Sequence, residues 1–476
     1  MDQDQKAQGR KEVGYILKYD TTVDYSQPGM AQKLQQIFVK NNLNQTAYGR
    51  AYVNELHRIE TGVSTEFHCL FCKKVSHPHL ICPECRKKIT PVQEKAKSSE
   101  APKREQSSTR QQTMAHEEND WKKQNADQVQ SITASAKETF GKAMDTFTEK
   151  VNVMAGGTGK VDLRLKDLFS EVFKKHSRDE SDELFICGTK TTTPAPESIS
   201  TEWPKPWLFS RIALLFLATF YLMVIIYKFF SNAIVVPGVI FVGSAAIPIC
   251  VLVFLFELNA PRNITFFETI KVFAIGGAAS LLISSVLFER ISVDFSVVGS
   301  ILIGFIEEIA KLLILAYFIK KNSHKNYILN GMLYGGAVGA GFAVFESAGY
   351  ALSAYMGVRI WGLFFVSENT FDSMMSSIYL RAFLSPGGHI AWAAMEGAFI
   401  MIVLNGRKFE WSVLFDKKFL TFFLIPVGMH AFWDMDILSY SIMRIPVKTI
   451  ALVLVAWVIL LVLLHRGLEE INCIKS

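Results

Sequence analysis

Long apolar runs fill the second half of the chain and constrain its fold more than any other feature. From Trp207 onward, eight runs reach the roughly 17–25 residues that cross a bilayer as a helix. They cover about 207–230, 233–256, 269–288, 296–319, 328–351, 382–404, 418–438 and 447–465. Because a backbone in lipid must satisfy its own polar groups, the sequence predicts an all-α polytopic membrane protein with about eight transmembrane helices.

The charge distribution separates this region from the rest of the chain. Residues 1–200 contain 57 charged residues (30 basic and 27 acidic), whereas the 276 residues of 201–476 contain only 37 (20 basic and 17 acidic). Such a composition excludes a purely soluble enzyme, a secreted disulfide scaffold and a wholly disordered chain. The net charge of +6 divides evenly between the two parts, so we expect no nucleic-acid partner.

Basic residues in two loops predict the orientation. Lys320, Lys321 and Lys325 lie between the fourth and fifth runs, and Arg407, Lys408, Lys417 and Lys418 lie between the sixth and seventh. Both loops fall on one side, which the positive-inside rule makes cytoplasmic. With eight spans both termini share that side, and the start of the chain lacks the pattern of a signal peptide. We therefore expect a multi-pass protein of the cell membrane. Other charges fall at the opposite edges of the runs: Arg290, Arg359, Arg381, Arg444 and Lys448.

The part before the first run divides by composition. We predict an N-terminal cytosolic region at 1–66, a cysteine cluster at 67–90, a polar linker at 91–120, and amphipathic helices with a second linker at 121–200, followed by the membrane domain at 207–465 and a C-terminal tail at 466–476. The lipid bilayer is thus one expected partner, and a cytosolic protein that binds the cysteine cluster is another.

The cysteine cluster has the spacing of a metal site. Cys69, Cys72, Cys82 and Cys85 form two CxxC pairs separated by nine residues. Two such knuckles supply the four thiolates of a tetrahedral structural zinc. We therefore predict a zinc ribbon, whose Zn²⁺ folds a segment that is too small for a hydrophobic core of its own.

Ionisable residues inside the apolar runs indicate a functional site. An acidic group at the bilayer centre costs roughly 2.5–3.5 kcal/mol on insertion scales, so such residues normally face a protein interior. The candidates are Glu307, Glu308, Lys311, Glu346, His389, Glu396, His430 and Asp434. Their positions along the runs place them between the midplane and the outer face.

Their spacing suggests which groups act together. Lys311 is three residues after Glu308 and four after Glu307, so it can pair with either carboxylate, and the two carboxylates diverge by about 100°. His430 and Asp434 share one face, where the carboxylate can orient the imidazole. Three small residues at four-residue steps (Gly331, Gly335 and Gly339) predict close packing of the fifth run against a neighbour, which would bring Glu346 near the pair.

Three short motifs occur in this order: EExxK at 307–311, FxxxE at 342–346 and HxxxD at 430–434. With His389 between the last two, they resemble the PrsW family of intramembrane proteases, which is distantly similar to CAAX-processing and bacteriocin-processing membrane proteases. The resemblance covers about 207–465. It implies a peptidase that cuts a single-span membrane protein, such as an anti-sigma-factor-like protein, near the outer face.

The resemblance also implies the site residues. Glu307 and Glu308 correspond to the essential carboxylates, and Lys311, Glu346, His389, His430 and Asp434 complete the catalytic set. A carboxylate in a partly dry site can take a proton from water, so Glu307 or Glu308 is the expected base. Family members are often described as metalloproteases, and His389 and His430 with Glu308 or Glu346 could bind a catalytic Zn²⁺. The sequence leaves a metal-free mechanism equally open.

Two other functions fit the same residues. Buried Glu, Lys and His also serve proton relays in transporters, although the two halves show no inverted repeat. A membrane scaffold whose zinc ribbon binds a partner would use the charges only to hold helices together.

Overall fold

The computed structural model describes residues 137–294, 296–357, 370–437, 441–442 and 445–475. The predicted zinc ribbon and the regions at 1–66 and 91–120 lie outside these residues. Residues 137–154 are helical, within the stretch where the sequence predicts amphipathic helices. After them, and apart from short 3₁₀ and π turns, the elements in chain order are α1 Leu165–Leu168, α2 Arg178–Phe185, α3 Leu208–Phe230, α4 Val236–Leu258, α5 Phe266–Lys271, α6 Gly277–Phe288, α7 Val297–Lys321, α8 Ile328–Tyr355, α9 Thr370–Leu384, α10 His389–Leu404, α11 Lys417–Asp434, β1 Ser441–Ile442, β2 Ile445–Pro446 and α12 Val447–Lys475.

The fold is a helical bundle suited to a membrane, as the sequence predicts. Six helical segments are long and apolar enough to cross a bilayer: Leu208–Phe230, Ala233–Leu258, Phe266–Phe288, Ile328–Tyr355, Thr370–Leu404 and Val447–Lys475. α7 and α11 correspond to the other two predicted runs and carry most of the charged candidates. An all-α, multi-pass protein is therefore confirmed, with six such segments rather than eight among the described residues.

The sixth predicted run begins too late. The structure has a helix at Thr370–Leu384 before it, then a single 3₁₀ turn at Ser385–Gly387, and only then α10. Pro386 removes a backbone donor at this turn, and Gly388 separates the turn from the first residue of α10. The break places His389 at the N-terminal end of a helix and brings α9 into the bundle. At the other end of the chain, α12 continues to Lys475, well past the predicted end at 465.

α8 lies at the centre of the bundle and packs on α4, α6, α9 and α10. The three glycines of α8 that are spaced four residues apart face the backbone of α10. A Cβ at Gly331, Gly335 or Gly339 would lie 2.2, 1.8 or 2.2 Å from a carbonyl oxygen of α10. The predicted close packing is confirmed, and its partner is the helix that carries His389.

Polar side chains form hydrogen bonds with backbone groups at the helix ends. The Glu257 carboxylate accepts from the backbone N–H groups of Trp207, Leu208 and Phe209 at 2.8–2.9 Å, which satisfies the first donors of α3. Glu470 accepts from the N–H of Ile328 at the start of α8 in the same way.

A lysine side chain forms hydrogen bonds with the C-terminal end of α11. Lys448 donates to the carbonyl oxygens of Phe432 and Trp433 at 3.1 and 2.9 Å, and also to that of Met435. A cation is favourable there because it complements the negative end of the helix dipole. The sequence treats Lys448 only as a charge at the membrane edge, whereas the structure uses it to hold the end of the helix that carries His430.

The packing of α8 on α10 gives a first prediction. Gly335→Ala should lower the free energy of unfolding by about 1–3 kcal/mol, because the new methyl group overlaps the Ala393 carbonyl and the backbones must separate. Thermal unfolding of the purified protein in detergent measures this. Gly428→Ala in α11 is the matched control, since a Cβ there meets nothing within 4 Å. Equal melting temperatures for the two variants would contradict the packing argument.

Candidate metal centre

Four helices bring the predicted site residues together. α7 contributes Glu307, Glu308 and Lys311, α8 contributes Glu346, α10 contributes His389, and α11 contributes His430 and Asp434. Hydrogen bonds and ion pairs of 4.0 Å or less connect all seven side chains into one network. Four of them are buried (Glu307, Glu308, Lys311 and His430), and the other three are half-buried (Glu346, His389 and Asp434).

Glu308 is the anchor of this network and is fully buried. Its Oε1 accepts from Lys311 Nζ at 2.6 Å and from His430 Nδ1 at 2.5 Å. Lys311 therefore selects Glu308, and not Glu307, as its partner. Because Nδ1 of His430 donates to Glu308, its Nε2 retains the lone pair.

His389 is held by a second carboxylate. Its Nε2 donates to Glu346 Oε2 at 3.0 Å, so its lone pair lies on Nδ1. Glu346 in turn pairs with Arg381, whose Nε donates to Ser347 Oγ at 2.8 Å. The Arg381 guanidinium also stacks on Tyr350, 4.3 Å from the ring centroid.

Arg381 is the site residue that the sequence analysis misses. Arg381 lies near the end of α9, a helix that the sequence does not predict. In the sequence, its charge falls at the edge of a predicted membrane run. A cation of this kind next to an apolar run and close in sequence to His389 is the signal that could have identified it.

Both histidine lone pairs face the same carboxylate oxygen. Glu307 Oε2 lies 3.6 Å from His430 Nε2 and 4.0 Å from His389 Nδ1, and all three atoms lie within 4.8 Å of one another. Asp434 Oδ2 lies 3.4 Å from the same His430 nitrogen. The carboxylate between the histidines is thus Glu307, whereas Glu308 and Glu346, the two that the sequence favours for a metal, hold the opposite nitrogen of each ring.

This donor set suits a divalent metal ion. Two imidazoles and one carboxylate are the protein ligands of many catalytic zinc sites, where bonds of about 2.0–2.1 Å set ligand atoms about 3.3 Å apart. The observed separations are 3.6 and 4.0 Å from Glu307 Oε2 to the two histidines, and all three atoms lie within 4.8 Å of one another, so the side chains would have to draw together around an ion. Glu307 Oε2 is also buried and accepts no hydrogen bond from the residues described. Such an oxygen gains a partner if a cation lies between it and the two imidazoles.

Lys311 competes for one of these positions. Its ammonium lies 3.1 Å from His389 Nδ1, the atom that would bind the metal. One lone pair cannot serve both cations. A metal ion at this nitrogen therefore requires the Lys311 ammonium to give up its contact with His389 while it keeps Glu308.

Aromatic rings line one part of the site. Trp392 stacks on His430 with ring centroids 4.5 Å apart. Lys311 Nζ lies 5.0 Å from the ring centroid of Phe342 and 5.7 Å from that of Trp392. Inside such walls, electrostatic interactions between the charged groups are stronger than in water.

Glu396, on α10, adds a further carboxyl group close to the site. It is fully buried, and within the described part of the chain neither of its oxygens receives a hydrogen bond; the same is true of Glu308 Oε2. An ionised carboxylate without a hydrogen bond is costly inside the bundle, so Glu396 is expected as the neutral acid, with Glu308 Oε2 as the candidate acceptor of its proton.

Comparison with known proteins matches the membrane part of the chain to one family. Residues 262–464 match the family model described as PrsW family intramembrane metalloprotease. The matched segment contains every residue of the site, Arg381 and Glu396 included, and supports a peptidase. No curated protein and no solved structure matches the chain. The similarity to PrsW therefore concerns the membrane domain, and the predicted ribbon lies outside the matched residues.

Two substitutions, one that keeps and one that removes a hydrogen-bond donor at position 396, test the role of Glu396. Glu396→Gln should preserve metal binding, because an amide N–H replaces the shared proton toward Glu308 Oε2. Glu396→Leu removes the donor and should weaken binding about 10–100-fold, the range typical of groups that orient metal ligands. Metal affinity by chelator competition measures both. Equal affinities in the two variants, or loss in the Gln variant alone, would contradict the donor role.

Proposed function

We propose that the chain is a PrsW-like intramembrane metalloprotease that hydrolyses a peptide bond of a membrane-anchored substrate. The observation that carries this proposal is the cluster of Glu307, His389 and His430, whose possible ligand atoms converge within the segment that matches that family. The substrate we favour is a single-span protein, such as an anti-sigma-factor-like protein, as the resemblance implies.

The three converging residues would hold the metal. A divalent ion such as Zn²⁺ polarises a carbonyl and makes a bound water nucleophilic near neutral pH. Glu308 keeps His430 in the tautomer that presents Nε2, and Glu346 with Arg381 does the same for His389 Nδ1. With Glu307 as a ligand, the base must be another carboxylate.

Asp434 is the carboxylate best placed to accept a proton. Glu308 is fully buried and bonded to two donors, and Glu346 is paired with Arg381. The Asp434 side chain is 22% exposed and lies beside His430 Nε2, so it can exchange a proton with water. We therefore assign the general base to Asp434, in place of the adjacent Glu pair favoured from the sequence.

The membrane arrangement belongs to the same proposal. We infer that α7 and α11 also cross the bilayer, which gives eight spans, and that both termini are cytoplasmic in the cell membrane. The basic residues at the end of α7, Lys320 and Lys321, support this orientation. The site then opens toward the outer face, where Asp434 lies at the end of α11.

We propose a separate, structural role for Cys69, Cys72, Cys82 and Cys85. Their spacing favours a zinc ribbon in the cytoplasmic part, which would present a surface to a cytosolic partner or to the substrate. The metal count of the whole chain separates this site from the one in the membrane.

Cleavage tests the proposal directly. Glu307→Gln, His389→Ala and His430→Ala should each abolish cleavage of single-span reporter proteins in proteoliposomes, because each removes a metal ligand. His465→Ala is the matched control: this histidine pairs with Glu469 on α12 and does not contact the site, so activity should be kept. Wild-type cleavage rates in the three site variants would exclude the protease and favour a scaffold, and ion flux lost with Glu346→Gln would favour a transporter.

Metal analysis of the purified protein distinguishes the two sites. We expect two zinc ions per chain, one lost in Cys69→Ser with Cys82→Ser and the other lost in His389→Ala with His430→Ala. Cys250→Ser, which alters a buried cysteine outside both sites, should retain both ions. A single zinc that disappears with the ribbon variant would contradict a metal centre in the membrane.

A further inference from the structure

A short cytoplasmic segment leaves large apolar side chains uncovered. Phe173 is 95% exposed, Phe169 is 53% exposed and Leu165 is 50% exposed. They recur every four residues within 164–175, which we call the interfacial segment. The sequence predicts a helix here, but the structure has only the single turn of α1 followed by consecutive turns, and these side chains stay exposed within the described part of the chain.

Aromatic contacts and a hydrogen bond hold the interfacial segment beside α3, the first membrane helix. Phe169 contacts Phe209 edge to face with ring centroids 6.4 Å apart, and Arg211 donates to the Lys174 carbonyl oxygen at 2.8 Å. His176 stacks on Trp207 at 3.9 Å. These contacts involve the first turn of α3 and the residue before it, so the segment lies at the level where α3 begins.

α3 is the helix of the bundle that faces lipid most openly. Among the described residues, Leu214 and Leu215 are 61% and 65% exposed within two turns of its start. The apolar side chains of the interfacial segment therefore continue a surface that lipid already covers. Their height at the helix start corresponds to the boundary between headgroups and acyl chains.

The charges of the segment match an anionic surface. Residues 164–175 contain four basic residues (Arg164, Lys166, Lys174 and Lys175) and two acidic ones (Asp167 and Glu171), and Glu171 is paired with Lys174 at 2.8 Å. The next helix, α2, has the opposite character: its sequence RDESDELF has one basic and four acidic residues. A negatively charged leaflet would attract the first element and repel the second.

We propose that the interfacial segment binds the anionic cytoplasmic leaflet of the same membrane, with Phe169 and Phe173 inserted among the lipid chains and the basic side chains on the headgroups. It anchors the cytoplasmic part of the chain beside α3 at a fixed height. The bound partner is the lipid surface itself, independent of substrate and of the metal centre.

A photo-crosslinking experiment tests the placement. The photoreactive residue p-benzoylphenylalanine replaces Phe173 in the full chain, which is reconstituted in nanodiscs of phosphatidylcholine and phosphatidylglycerol. Illumination should give lipid adducts, detected by mass spectrometry. The same residue in place of Asp182, exposed on acidic α2, should give none. Crosslinks from position 173 to residues 1–136, or equal adducts at both positions, would overturn the proposal.

A second measurement tests the charge. The melting temperature should be higher with phosphatidylglycerol than with phosphatidylcholine alone, and this difference should be lost when Lys166, Lys174 and Lys175 are all changed to Gln. Lys190→Gln, an exposed lysine outside the segment, should keep it. A difference of the same size in the triple variant would exclude electrostatic binding by these lysines.

Discussion

The buried contact of Glu308 with Lys311 and His430 is the interaction on which the membrane site depends. Removing ions from water costs several kcal/mol each, and an unpaired carboxylate within the bundle would be strongly destabilising. Lys311 neutralises Glu308, and Glu308 fixes the tautomer of His430. The same ammonium reaches His389, so one ion pair within α7 sets the orientation of both imidazoles.

Packing brings this chemistry together across four helices. The glycines of α8 let its backbone approach that of α10 closely enough to place Glu346 on His389. Gly304 of α7 similarly approaches α11, where a Cβ would lie 2.9 Å from the Ala431 nitrogen, next to His430. In a bilayer, where helix association depends on close packing rather than on the hydrophobic effect, small residues at these crossings decide which side chains meet.

The sequence was sufficient for the helical class, and it identified the charged residues that the structure brings together, because charge is costly in lipid and so stands out in apolar runs. It could not decide how α7 is rotated: Lys311 can reach either neighbouring glutamate, and only the packed bundle assigns it to Glu308 and turns Glu307 toward the histidines. Arg381 was missed because α9 mixes polar and apolar residues, so its sequence looks like a loop next to the predicted run. The glycine spacing predicted a close neighbour but could not name α10, since the partner of a helix is a property of the whole fold.

The position of Lys311 has a consequence for how the protein reaches its membrane. With Lys311 on Glu308 and His389, and Arg381 on Glu346, two of the acidic side chains of the site already have cationic partners within the bundle before any metal ion is bound. Helices that enter the bilayer separately can pair these charges as soon as they meet. In the proposed metalloprotease, binding of the metal would exchange one positive neighbour of His389 for another, so the chain could be inserted and assembled first and supplied with its ion afterwards.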